Sequence, residues 1–160
     1  MRTLVVGVGN LLRRDDGAGI HVANRLRKLA PRVDCADVAM AGVEILEAMR
    51  GYDRVIIVDS IRTGGEPGTI YRVNVAAGEE PPRIAYSHGV DLVTTLELGA
   101  RLMPEEMPKE QVLIGIEAED TLSFDVACTP RVEAAVDRVV EEIIRLVEPP
   151  ERRALSCRTE

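Results

Sequence analysis

Tryptophan is absent from this 160-residue chain, phenylalanine occurs once, and aromatics make up 2% of it, although 46% of the residues are hydrophobic. A core must therefore be packed from Val, Ile, Leu and Ala, which fits a sheet covered by helices on both faces better than an aromatic-rich β-sandwich. Cysteines are few and scattered: Cys35, Cys128 and Cys157 are odd in number and form no Cys-x-x-Cys. Neither a disulfide framework nor a structural zinc site has its spacing, so a reducing cytoplasm is the expected setting. Only Arg2 precedes a short apolar strand, and no run approaches a membrane span, so neither a secretory leader nor a membrane is expected. A basic stripe is missing too. With a net charge of −7 and charges of both signs interspersed, nucleic acid is excluded as a partner.

What is present alternates between two periods. Thr3 to Val8 is a β-branched run ending near glycine, and "RVIIVDS", Arg54 to Ser60, is a central strand of consecutive aliphatics. Further strands are expected over 33–38, 69–75 and 111–116, the second of these alternating as on a sheet edge. Between them Ile20, Ala23, Leu26 and Leu29 recur at helical spacing until Pro31, a short helix covers 42–49, and another covers 90–102. Thr129 reads as an N-cap with Pro130 at the first helical position, and Val132, Val136, Val139, Ile143 and Leu146 form the inner stripe of a last helix. Strands and helices spaced for βαβ crossovers predict an α/β fold, a three-layer α/β/α sandwich around a twisted, mostly parallel sheet of about five strands. One domain over 1–148 is expected, with a charged, frayed tail over 149–160 beyond the paired prolines.

In open α/β sheets, ligands gather at the carboxyl ends of strands. The loop "GNLLRRDDGAG", Asp37, Asp59 and His88 all fall near such ends. A dinucleotide fingerprint fails here: Gly7 and Gly9 supply two glycines, but Leu12 occupies the third place. Asp15 and Asp16 would also put negative charge where a pyrophosphate should sit, so no nucleotide cofactor is expected. Asp16, Asp59 and His88 instead form a mixed carboxylate–imidazole set suited to nickel, zinc, iron or manganese. Each also has a bland reading. Asp15 or Asp16 can cap the following helix, Asp59 a turn, and His88 can bond to backbone. His21 reads as solvated beside Arg25 and Lys28, and Glu117, Glu119 and Asp120 as a solvent-facing loop cluster.

The whole pattern is more specific than its parts. "GVGNLLRRDDGAG", "VIIVDSIRTGGEPGT", "SHGVDL" and "IGIEAEDTL…TPRVEAAVDRVVEEI" resemble, in order and spacing, the hydrogenase maturation protease family. The resemblance implies a cytoplasmic endopeptidase. Its substrate would be the precursor of a nickel–iron hydrogenase large subunit, relieved of a C-terminal extension once nickel is installed. By motif, the metal contacts map onto Asp16, Asp59 and His88, with nickel carried by the substrate rather than resident. This chain has Asp16 where many relatives have Glu, which shortens the reach by one methylene. It reads "DVAMAG" where relatives commonly show Asp-Gly-Gly/Thr, which retains Asp37 and Gly42. No Gly-x-Ser-x-Gly or His-Glu-x-x-His occurs, so serine-hydrolase and zincin chemistry lack their signatures. The remaining options are an acid as general base, Asp16 or Asp37, and nickel as Lewis acid. An inert nickel-site-binding chaperone or regulator of hydrogenase assembly is the alternative function.

Overall fold

The computed structural model describes residues 1–40, 42–75 and 92–148. Among these, β1 (Thr3–Val8), β2 (Asp34–Val38), β3 (Arg54–Ile61), β4 (Ile70–Asn74) and β5 (Glu110–Glu117) form a single sheet in the order β2-β1-β3-β5-β4. All neighbours run parallel except β4, which lies antiparallel on β5 from Ile70↔Ile116 to Asn74↔Val112. The short β4 is the edge strand that its alternation predicts. β1 and β3 are buried on both faces beyond their first residues, as unbroken aliphatic runs require.

The helices are α1 (Ala18–Leu29), α2 (Val43–Met49), α3 (Leu92–Leu102) and α4 (Pro130–Val147). One core unites Val5, Ile56, Val58, Ile114 and Ile116 of the sheet with Val22 and Leu26 of α1 and Val132, Val136, Val139 and Ile143 of α4. The opposite core sets Leu4, Val6, Val55, Ile57 and Leu113 against Ile45 and Met49 of α2 and Leu92 and Leu96 of α3. Helices on both faces of a mostly parallel sheet make the expected three-layer sandwich. Arg25 of α1 also pairs with Glu133 and Asp137 of α4, which ties the two helices of one layer. No helix among the described residues is long and apolar enough to cross a membrane.

Three expectations need correction. Leu29 is 65% exposed rather than part of the inner stripe, because the stripe steps from Leu26 to the buried Ala30. His21 is half-buried, its Nε2 2.8 Å from the Val126 carbonyl oxygen, rather than solvated. Glu117 is not a loop acid but the buried last residue of β5.

The strand order fixes where a site can form. The chain leaves β1 for β2 on one side, then returns to place β3 on the other, so the topological switch point lies between β1 and β3. The loop after Val8 and the carboxyl end of β3 at Asp59 both open onto that crevice.

Candidate functional site

The loop after β1 folds back on itself and forces its own glycines. Gly9 has φ +145, and a Cβ there would stand 1.9 Å from the Asp16 carbonyl oxygen. That carbonyl accepts the Asn10 N–H at 3.3 Å, and the Asn10 side chain accepts the Leu12 N–H at 2.9 Å. A tight 3₁₀ turn over Arg14–Gly17 then delivers the chain into α1, with Arg14 in the left-handed region at φ +49. At the start of α1, a Cβ on Gly19 would meet the carbonyl oxygens of Val58 at 2.2 Å and Val8 at 2.6 Å. The glycines therefore press the helix start onto the ends of β1 and β3. They cradle backbone.

The two aspartates have different tasks. Asp15 is fully buried, and its carboxylate accepts the N–H groups of Glu119 and Asp120, each at 2.9 Å, and that of Thr129 at 2.7 Å. The Thr129 hydroxyl donates to the same carboxylate, at 2.9 Å to Oδ2. Thr129 is the N-cap of α4 by position, but its side chain serves Asp15 instead of its own helix. Asp15 caps nothing on α1, whose N-cap is Gly17. Backbone hydrogen bonds from Arg14 to Asp125, Asp15 to Asp120 and Asp125 to Leu12 complete the lacing of this loop to 118–129. Within that second loop, side-chain and backbone hydrogen bonds from Ser123 and the Leu122 N–H hold Asp120 well below the usual carboxylate range.

Asp16 is 2% exposed and lies on an open cleft of about 620 Å³ shared with Gly9, Leu11, Arg13, Asp37 and Met40. The structure thus brings Asp16 and Asp37 to one cleft. Asp37, at the penultimate position of β2, is held by both Arg27 Nη atoms, at 3.0 and 3.1 Å, and stays partly exposed. Asp59 is 3% exposed, follows the strand pairing Gly7↔Val58, and adjoins a cavity of about 10 Å³ with Ile57, Tyr71, Val73 and Leu92. The 3₁₀ turn carrying Asp16 packs on β3, so two buried carboxylates flank the switch point. His88 lies outside the described residues. Among the described residues no group of three or more His, Cys, Asp and Glu is assembled for a metal. Asp16 and Asp59 are hard oxygen donors that suit a divalent cation only with ligands from elsewhere.

Reading by residue type missed Glu117, whose carboxylate accepts the Thr63 N–H at 2.9 Å and the Thr63 hydroxyl at 3.0 Å. It pins the loop that follows β3. The signal was its place at the end of the apolar run "VLIGI".

Comparison with known proteins agrees with this geometry. A family profile described as HycI, hydrogenase maturation protease, matches residues 20–146. The chain is 32% identical over 152 residues to the hydrogenase 2 maturation protease of Escherichia coli (strain K12), with 90% of this chain and 89% of that protein covered. Among solved structures, the hydrogenase maturating endopeptidase HybD from E. coli superposes with a TM-score of 0.72 at 28% identity, covering 92% of each chain. The NiFe hydrogenase maturation protease HybD from Thermococcus kodakarensis has the same fold, with a TM-score of 0.76 at 24% identity, covering 92% of this chain and all of that one.

Proposed function

The chain belongs to the hydrogenase maturation protease family and is an endopeptidase; from that premise we propose that it trims a C-terminal extension from a nickel-loaded hydrogenase large-subunit precursor. The observation that carries this reading is the pair of buried carboxylates at the switch point, Asp16 on the open cleft in the turn packed on β3, and Asp59 near the carboxyl end of β3 itself. Nickel already held by the precursor gains ligands from Asp16 and Asp59, with His88 as the third contact that the family resemblance implies. The metal then acts as a tag. A precursor without it loses these contacts, and the protease gains no differential binding with which to select it.

Hydrolysis requires a water to attack the scissile carbonyl while a base takes its proton and the amine leaves with one. Asp16 and Asp37 line the cleft where such a water would sit. Both oxygens of Asp37 accept hydrogen bonds from Arg27, which holds this carboxylate at the wall of the cleft. Asp16, buried on this cleft in the turn packed against β3, is assigned as the base, in addition to its contact with the metal. The test is mass spectrometry of a precursor, nickel-loaded or nickel-free, incubated with the protein. Loss of the extension from the loaded sample alone is expected. Asp16→Asn should lower the rate by a factor of about 100 or more, on the scale of general-base losses, and Asp37→Asn by much less. Equal cutting of both samples by the wild type overturns the tag, and wild-type rates from Asp16→Asn overturn its role.

A further inference from the structure

The chain's single phenylalanine is not in its core. Phe124 is 87% exposed, and the alternate positions Leu122 and Val126 are 70% and 56% exposed. Leu12, on the loop laced to this segment, is 61% exposed. Large apolar side chains scattered singly on a surface need no explanation, but four gathered on two interlocked loops do. Local looseness does not provide one. The segment is fastened by Arg14 N–H to the Asp125 carbonyl at 2.8 Å and by Asp125 N–H to the Leu12 carbonyl at 3.1 Å. The Asp125 carboxylate accepts the Ala127 N–H at 2.9 Å, Asp120 accepts those of Leu122 and Ser123, and the Val126 carbonyl lies 2.8 Å from His21 Nε2. Each bond fixes backbone while leaving the apolar side chains in water.

We propose that Leu12, Leu122, Phe124 and Val126 form the docking surface by which this protease grips an apolar patch of the precursor polypeptide, independently of the metal. The proposal rests on the function inferred above. Continuity with the cleft identifies the occupant. Leu11 and Arg13, on either side of Leu12, line the cleft that holds Asp16, and Met40, 59% exposed, lines it as well. A polypeptide lying in that cleft therefore runs onto the apolar face. A second copy of this chain seated there would instead crowd the mouth of the cleft through which the precursor must enter. Preordered loops also suit the task, because a rigid aromatic anchor loses little conformational entropy on binding.

The metal and the apolar face would then contribute separable parts of recognition. The experiment compares wild type, Phe124→Ser and Leu122→Ser/Phe124→Ser for affinity and cleavage, using purified large-subunit precursor with its extension, nickel-loaded and nickel-free. These side chains are exposed, so thermal unfolding should be unchanged and serves as the control for folding. Phe124→Ser should weaken binding by about 10- to 30-fold, the scale of an aromatic hot spot. The factor should be the same for loaded and nickel-free precursor, with KM raised and kcat for the loaded one retained. Asp16→Asn, in contrast, should erase the difference between the two precursors. Unchanged affinity in the double variant overturns the docking surface, as does a wild-type dimer that becomes monomeric in the variant by light scattering. Failure of the wild type to cut the loaded precursor is a different result: it overturns the function on which the surface rests.

Discussion

Two adjacent aspartates in one turn show how far residue type alone reaches. Asp15 and Asp16 are chemically identical, yet one staples α4 to the opening loop and the other faces the cleft. Their division of labour is set by a partner more than 100 positions away in the chain, Thr129, which no local pattern reveals. Cys128, one of the scattered cysteines, is buried next to the N-cap of α4. Burial, with the Asp15 carboxylate nearby, pushes its thiol up to about 12. Iodoacetamide at pH 8.5 should therefore leave Cys128 unmodified in the folded protein and label it on unfolding, as peptide mass mapping would reveal. The linkage has a definite sign. An unfolded thiol ionises near pH 9.0, so between there and about 12 unfolding releases a proton and stability falls as pH rises. Cys128→Ala should flatten that alkaline limb of the denaturation midpoint against pH. An unchanged slope would mean that other groups dominate it.

At the scale of elements, legibility followed burial. The strands β1 and β3 are buried on both faces and coincide almost residue for residue with their apolar runs. The amphipathic α4 buries Val132, Val136, Val139 and Ile143 of its predicted stripe, while the fifth member, Leu146, is half-buried. Where burial is partial, the boundary drifted, the edge strand β4 being shorter than its alternation; the start of α1 is buried, and a 3₁₀ turn precedes it. The reason that turn exists is a packing fact, the approach of Gly19 to Val58 and Val8. It yields a prediction opposite to helix propensity. Replacing a helical Gly by Ala ordinarily gains about 1 kcal/mol. At Gly19 the new methyl meets backbone oxygens at 2.2 and 2.6 Å, on two strands that are fixed in the middle of the sheet. Gly19→Ala should therefore destabilise by about 2 kcal/mol or more in chemical denaturation, since overpacking costs of that size exceed the propensity gain. Because the same shift displaces Asp16 from the end of β3, precursor cleavage should fall even where the variant remains folded. A stabilised Gly19→Ala with full activity would refute the close approach.

For the whole molecule, the consequential feature is that the first loop of the chain and the last loop before α4 are one structural unit. Asp15 joins residues 104 to 114 positions apart in sequence, and the backbone bonds among Leu12, Arg14, Asp120 and Asp125 run alongside it. Such a contact closes the fold end to end and sets two functional surfaces, the carboxylate cleft and the apolar face, in fixed relation. Its removal should loosen both together. Asp15→Ala leaves the Thr129 N–H and hydroxyl buried without their acceptor, a loss of about 3–5 kcal/mol by the cost of unsatisfied buried groups. Hydrogen exchange followed by mass spectrometry tests where that energy resides. Peptides covering 10–17 and 119–129 should lose protection in parallel, ahead of those from β1 and β3, because the staple holds the rim while the central strands keep their own ladder and core. Loss confined to one loop would mean that the two are held independently. In that case, a substitution on the apolar face could alter docking without any influence on the geometry around Asp16.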